Sequence, residues 1–128
     1  VDTMCDSVSR WELHRSGPDL RPTWTDHTGG DSLSAVVITG AAVYAAGHQR
    51  WANNEQTPGG DRPGPGSVER PGIAAYDPAT GDVLPWAIDR ERGFQVGTLT
   101  ATPDGLWIGS DSSRLGHEWH PRVAFLPL

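Results

Sequence analysis

The chain has 128 residues and a formal net charge of −6, with 16 acidic residues spread along it and 10 basic residues that form no continuous stripe. This distribution argues against nucleic-acid binding, because a basic surface is needed to neutralise phosphates, and no apolar run approaches the roughly 18–20 residues of a membrane-spanning helix. Sixteen glycines and 11 prolines separate short β-branched and aromatic runs, and no window shows helical periodicity, so the composition predicts an all-β fold.

Nine short segments are predicted to be strands. In chain order they are 9–14, 20–24, 34–40, 42–48, 72–77, 82–86, 97–103, 106–111 and 122–128. Turn-forming residues lie between them, among them Asp104-Gly105, which predicts a tight hairpin turn.

The two halves of the chain resemble each other, which indicates an internal repeat. Trp24 aligns with Trp86 at an offset of 62 residues, and Tyr44 aligns with Trp107 at an offset of 63. The segment "RVAFLPL" at the end then begins a third copy of "GIAAYDP". A repeat of this size with about four strands per unit is typical of a β-propeller blade.

Residues 49–71 lie between two predicted strands of the first unit, and their second half is rich in proline and glycine without apolar periodicity. They predict an exposed loop inserted into one blade. The corresponding segment of the second unit, residues 112–121, is shorter.

The segment "AAYDPATGDVLPW" (74–86) predicts two strands joined by a hairpin turn. Gly81 can adopt the positive φ angle that closes the turn, and Asp77 can accept hydrogen bonds from its free backbone donors. Thr80 can support the same geometry. Trp86, on the returning strand, can cover the junction with a neighbouring sheet. All four residues therefore have predicted structural roles.

The same segment resembles the tryptophan-docking motif of PQQ-type β-propellers, whose pattern is Ala-x-Asp-x-x-Thr-Gly followed by Trp. Ala75, Asp77, Thr80 and Gly81 match this pattern, and Trp86 arrives one residue late. In that family the motif is the hairpin of the two outer strands of a blade, and its tryptophan docks against the adjacent blade. Nearly the whole chain is also similar to the C-terminal repeats of secreted actinobacterial propeller proteins of uncertain role. This second resemblance implies secretion but supplies no activity.

These resemblances imply a β-propeller fragment of about two blades, each a four-stranded antiparallel sheet, from the C-terminal part of a larger closed propeller. Within one partial propeller (1–128), residues 9–24 would form the outer hairpin of a preceding blade. Residues 32–86 would form one full blade with the 49–71 loop inserted, and residues 96–128 a last blade that lacks its outer strand. Because an open arc exposes sheet edges, we expect the ring to be completed by the N-terminal remainder of the propeller as a separate chain, or by self-association.

In each unit one polar cluster follows the second strand, and the two clusters occupy the same place in the repeat. The first consists of His48, Arg50, Trp51, Asn53 and Asn54, and the second of Asp111, Arg114, His117, Trp119 and His120. An indole can cover the apolar face of a sugar while polar groups bind its hydroxyls, so both clusters are candidate carbohydrate sites on one rim. In the alternative interpretation the tryptophans pack the loops onto the blades and the polar residues are solvated.

No catalytic or metal site is predicted. His117 and His120 with Glu118 offer imidazole ligands suited to zinc or copper, but their spacing matches no metal motif. Calcium could bind through Asp111 or Asp61, although neither lies in a run of alternating acids.

The sequence thus predicts an extracellular, non-enzymatic binding or scaffolding module whose ligand is a glycan or a protein. The alternative is a non-catalytic C-terminal segment of a propeller hydrolase or oxidoreductase whose active site would lie mostly in an N-terminal part outside this sequence. Clusters on the rim favour the first function, whereas polar groups at the central channel would favour the second. The single cysteine, Cys5, predicts either an inter-chain disulfide or a buried free thiol.

Overall fold

The computed structural model describes residues 6–55, 62–88 and 95–127. All regular secondary structure in these ranges is β-strand, and all strand pairs are antiparallel. The predicted all-β class is therefore confirmed, and among the described residues there is no helix that could cross a membrane. Cys5 and Asp61, which carried the disulfide and one of the calcium hypotheses, lie outside these ranges.

Twelve strands are present in the described ranges. They are β1 (Ser7–Arg10), β2 (Trp24–His27), β3 (Leu33–Ile38), β4 (Val43–Gly47), β5 (Trp51–Ala52), β6 (Val68–Glu69), β7 (Ile73–Tyr76), β8 (Val96–Thr102), β9 (Gly105–Ser110), β10 (Arg114–Leu115), β11 (Glu118–Trp119) and β12 (Val123–Pro127).

The strands form two three-stranded sheets and three two-stranded hairpins. The middle sheet has the order β3-β4-β7, and the last sheet has the order β8-β9-β12. Strands β1 and β2 pair with each other, as do β5 with β6 and β10 with β11. The hairpins β5–β6 and β10–β11 occupy the same place in the repeat, since each connects the second strand of a three-stranded sheet to the third strand.

The fourth strand that the repeat predicts in each sheet is reduced to a single bridge in the middle sheet. Residues 82–86 are predicted to be a strand, but they contribute only the bridge between Tyr76 and Val83. Two backbone bonds flank it, from Asp77 N to the carbonyl of Asp82 (2.9 Å) and from Leu84 N to the carbonyl of Ala75 (2.8 Å). Pro85 follows and has no N–H to continue the ladder.

The two sheets repeat the same hydrogen-bond register. Val37 pairs with Tyr44 in the middle sheet, and Thr100 pairs with Trp107 in the last sheet. The third strands also correspond, because Tyr44 pairs with Ala75 and Trp107 pairs with Phe125. A register irregularity interrupts β3 between Leu33 and Ala35 and β8 between Val96 and Thr98, at the same place in each sheet. The repeat inferred from the sequence is thus visible in the backbone pairing.

Two features of the strand prediction are wrong. The sequence predicts the first hairpin at 9–14 and 20–24, whereas the observed pairs run from Ser7 with His27 to Arg10 with Trp24. Residues 11–23 form the connection instead, and Pro22 there cannot donate to a ladder. The short hairpins β5–β6 and β10–β11 lie in segments predicted to be loops, because strands of two residues are too short to show alternation.

Strands β4 and β7 of the middle sheet are buried on both faces, which explains their unbroken apolar runs. Strand β3 instead alternates and leaves Val36 and Ile38 exposed. One face of the middle sheet carries Tyr44 and Ile73 and packs against Leu106 and Ile108 of the last sheet; we call this the intersheet core. Each buried leucine or isoleucine there contributes about 1.5–3 kcal/mol of stability.

The other face of the middle sheet carries Val43, Ala45 and Tyr76 and packs against Val8 and Trp24 of the first hairpin; we call this the hairpin core. The first hairpin is therefore held to the middle sheet by side-chain packing and not by strand pairing.

Candidate functional site

The turn after β7 has a hydrogen-bond network centred on Asp77. Its Oδ1 accepts bonds from the backbone N–H groups of Ala79 (2.7 Å) and Thr80 (3.0 Å). Gly81 has a φ angle of 79° and donates its N–H to the carbonyl of Asp77 at 2.9 Å. Thr80 Oγ1 donates to Asp82 Oδ2 at 2.8 Å. These hydrogen bonds hold the backbone of the turn in one conformation.

Trp24 of the first hairpin docks onto this turn. Its indole Nε1 donates to the carbonyl of Pro78 at 3.1 Å, and Arg10 Nη1 donates to the same oxygen at 2.8 Å. The indole also lies against Gly81, where a Cβ atom would come within 2.6 Å of the ring, and against Tyr76, whose ring centroid is 6.2 Å away. The turn therefore serves as the attachment point for the preceding hairpin.

Trp86 lies elsewhere, at the intersheet core. Its ring meets that of Tyr44 edge-on, with the centroids 5.0 Å apart. Trp86 therefore covers a junction between the middle and last sheets, whereas the tryptophan on the turn is Trp24.

The first polar cluster is mostly used to hold the inserted loop. Asn54 is fully buried; its Nδ2 donates to the carbonyl of Arg62 (3.1 Å) and its Oδ1 accepts from Gly64 N (2.8 Å). Asn53 Nδ2 donates to the carbonyl of Gly66 at 2.8 Å. Trp51 is half-buried and pairs with Glu69 in the β5–β6 hairpin.

The two basic residues of this cluster face one acid. Arg50 Nε donates to Oδ2 of the buried Asp31 at 3.0 Å, and His48 Nδ1 lies 3.7 Å from Oδ1 of the same carboxylate. These contacts favour the loop-packing interpretation for the first cluster.

Asn54 supplies a direct test of that interpretation. Asn54→Ala should lower the free energy of unfolding by about 1–2 kcal/mol, because it leaves two backbone groups of the loop without their partner. Asn53→Gly is the matched control, since the Asn53 side chain is exposed and makes one such bond, and glycine keeps the φ angle of 51° without strain; its effect should be smaller. Urea unfolding of both variants measures the difference, and equal effects would contradict the anchoring role.

The second polar cluster presents an exposed tryptophan on a short hairpin with a tight turn. Gly116 and His117 form a two-residue turn between β10 and β11 with φ angles of 59° and 68°, as a type I′ turn requires. Trp119 is 65 % exposed, and the guanidinium of Arg114 lies 6.0 Å from the centroid of its ring. His120 Nε2 lies 3.0 Å from Glu118 Oε2 beside them. Asp111, the remaining member, accepts a bond from Gln95 N at 3.0 Å and so holds the base of the hairpin.

The β10–β11 hairpin places an exposed aromatic ring beside a cation. An indole face with a neighbouring cation suits a ligand that has a flat apolar surface edged by polar groups. Within the described ranges, no three His, Cys, Asp or Glu side chains are grouped as metal ligands.

Asp26 is a buried titratable residue that the sequence analysis missed. It is 4 % exposed; its Oδ2 accepts from the hydroxyl of Tyr76 (2.9 Å) and its Oδ1 from Asn53 N (2.7 Å). Burial raises the pKa of Asp26 to about 6, and burial together with this carboxylate raises the pKa of Tyr76 well above its ordinary value. A cleft of about 320 Å³ beside it is also lined by Thr80 and Asp82. No local pattern marked Asp26, because its partners come from distant parts of the chain.

Comparison with known proteins gave no match, whether to family models, to curated proteins or to solved structures.

Proposed function

We propose that this chain is an arc of a β-propeller that acts as a non-enzymatic extracellular binding or scaffolding module, with the β10–β11 hairpin as its ligand-binding surface. Its ligand is a glycan or, failing that, a protein partner. The ring is completed by another polypeptide or by further copies of the chain. The extracellular location is proposed on the resemblance to secreted propeller proteins.

Two observations support the propeller architecture. The middle and last sheets share one register, one bulge position and one position for the short hairpin. The indole of Trp24, which aligns with Trp86, docks on the Pro78–Gly81 turn of the following unit, and this contact is similar to the docking of the motif tryptophan against an adjacent blade in the family that the segment resembles.

The exposure of Trp119 is the observation that carries the ligand-binding proposal. In the first cluster Asn54 is buried and Trp51 is half-buried, so that cluster has limited free surface. Trp119 instead stands on a short hairpin beside Arg114. A rigid aromatic residue loses little conformational entropy on binding, and such residues often dominate the affinity of an interface.

The composition of the innermost strands favours binding over catalysis. Strands β3 and β8 are edge strands of the two sheets and lie side by side; in the proposed propeller they are the innermost strands. Their sequences, "LSAVVI" and "VGTLTAT", contain no acid, base or thiol. An enzyme that worked at the centre of a propeller would be expected to place titratable groups on such strands.

Trp119→Ala is expected to weaken ligand binding about tenfold or more without lowering thermal stability, because truncation of an exposed aromatic anchor removes contact area and leaves the core intact. A glycan array identifies the ligand, and isothermal titration measures the affinity. Trp11→Ala is the matched control, because Trp11 is also exposed but lies in the connection between β1 and β2. Equal losses in both variants, or none in either, would contradict the assignment of the hairpin.

A further inference from the structure

The last sheet has an apolar face that no other described element covers. Trp107 and Val123 on this face are 46 % and 57 % exposed. Phe125 lies beside Trp107, with the ring centroids 4.9 Å apart. Thr98 and Thr100 complete the face, since they lie opposite Gly109 and Trp107 in the ladder. We call these five residues the outer face.

The corresponding residues of the middle sheet are buried. In the shared register Trp107 corresponds to Tyr44, which is 5 % exposed, and Val123 corresponds to Ile73, which is 2 % exposed. They are buried because the last sheet packs over them in the intersheet core. The outer face is thus the position at which a next sheet would pack if the stacking continued.

The chemistry of that next sheet can be read from the internal interface. The last sheet covers the middle sheet with aliphatic side chains at alternate positions, namely Leu99 and Ala101 of β8 and Leu106 and Ile108 of β9. Aliphatic side chains of this kind can fill the space around the exposed Trp107–Phe125 pair as they fill the space around Tyr44.

We propose that the outer face is the docking surface for a further antiparallel sheet of the same repeat, carried by a partner polypeptide and presenting alternate aliphatic residues. This inference rests on the proposed arc of a propeller and names the surface at which it is extended. A second copy of this chain fits less well, because its own matching face, around Val43 and Ala45, is partly covered by Val8 and Trp24 of its first hairpin.

A chain extended by one repeat tests the proposal. Residues 122–128 correspond to residues 72–78, so a second copy of residues 79–128 appended after Leu128 continues the repeat in phase and supplies one more sheet without a blocking hairpin. The appended copy carries W107F, so that oxidation of the first Trp107 by hydroxyl radicals can be followed by mass spectrometry. In the 128-residue chain we expect Trp107 to be oxidised at the rate of an exposed indole. In the extended chain we expect its oxidation rate to fall to a low value, like that of the buried Tyr44.

Substitution at the same position separates docking from folding. Trp107→Glu should leave the melting temperature of the 128-residue chain nearly unchanged and lower that of the extended chain, whereas Trp119→Glu should have little effect in either. Undiminished oxidation of Trp107 in the extended chain, with the Tyr44 rate still low, would overturn the proposal. So would a dimer of the unmodified chain in sedimentation experiments that Trp107→Glu abolishes, since a second copy would then be the occupant. The two proposals can be tested separately, because failure of the proposed Trp119-dependent binding would leave the oxidation rates of Trp107 unaltered.

Discussion

Gly81→Ala is expected to lower the free energy of unfolding by about 2–5 kcal/mol. Gly81 has a φ angle of 79°, which costs an L-residue roughly 1–2 kcal/mol. An added Cβ would also lie within 2.6–2.8 Å of three carbon atoms of the Trp24 indole, and overpacking of this kind adds about 1–3 kcal/mol. The ring cannot simply move away, because its Nε1 is bonded to Pro78 and its other face packs toward Tyr76.

Two further variants separate the backbone cost from the docking cost. Gly116→Ala is the matched control, since Gly116 also has a left-handed φ, of 59°, but no atom lies within 4 Å of the place that an added Cβ would occupy. Trp24→Ala completes a double-mutant cycle, and in that background Gly81→Ala should cost only the backbone part. Chemical denaturation measures the free energy of unfolding of the wild-type protein and of each variant. If Gly81→Ala were no worse than Gly116→Ala and additive with Trp24→Ala, the turn would not be a docking point.

Local sequence signals predicted the turn well because its bonds join neighbouring residues. Asp77 binds the N–H groups two and three positions ahead of it, and Thr80 binds Asp82, so the six letters "DPATGD" contain the hydrogen bonds within the turn. The main strands of the two sheets were also predictable, since Tyr44 and Trp107 lie in short apolar runs at the same place in the repeat.

Features that depend on distant residues could not be predicted in the same way. Asn54 looked like a ligand-binding amide, but loop residues 62–64 fold back and use both ends of it. Asp26 lies outside the predicted strands and was assigned no role, because Tyr76, the residue that donates a hydrogen bond to it, is 50 positions away. The first hairpin was also misplaced. Its second strand begins at Trp24, and Trp24 binds the carbonyl of Pro78, 54 positions away, so the local apolar pattern did not reveal the start of this strand.

Asp26 is expected to make the stability of the protein depend on pH between about 4 and 6. Its pKa is raised in the folded state to about 6 from an ordinary value of 3.8, so in this window the folded protein binds more protons than the unfolded chain. The free energy of unfolding must then fall as the pH rises through the window and stay lower above it. A difference of about two pKa units corresponds to at most about 3 kcal/mol. The causes can be assigned, because burial raises this pKa while the bonds from Tyr76 and Asn53 lower it.

Asp26→Asn should remove this dependence, because the amide fills the same space and does not titrate. Other groups titrate in the same window, so the quantity to measure is the difference between the wild-type protein and the variant in urea unfolding at pH 4, 5, 6 and 7. Asp82→Asn is the control, since Asp82 is an exposed acid beside the same cleft. Tyr76→Phe should extend the fall in stability to higher pH, because it removes a hydrogen bond that lowers the pKa of Asp26. A wild-type-minus-variant difference that stays constant from pH 4 to 7 would mean that Asp26 keeps an ordinary pKa, and that its buried carboxylate is stabilised by more than these two bonds.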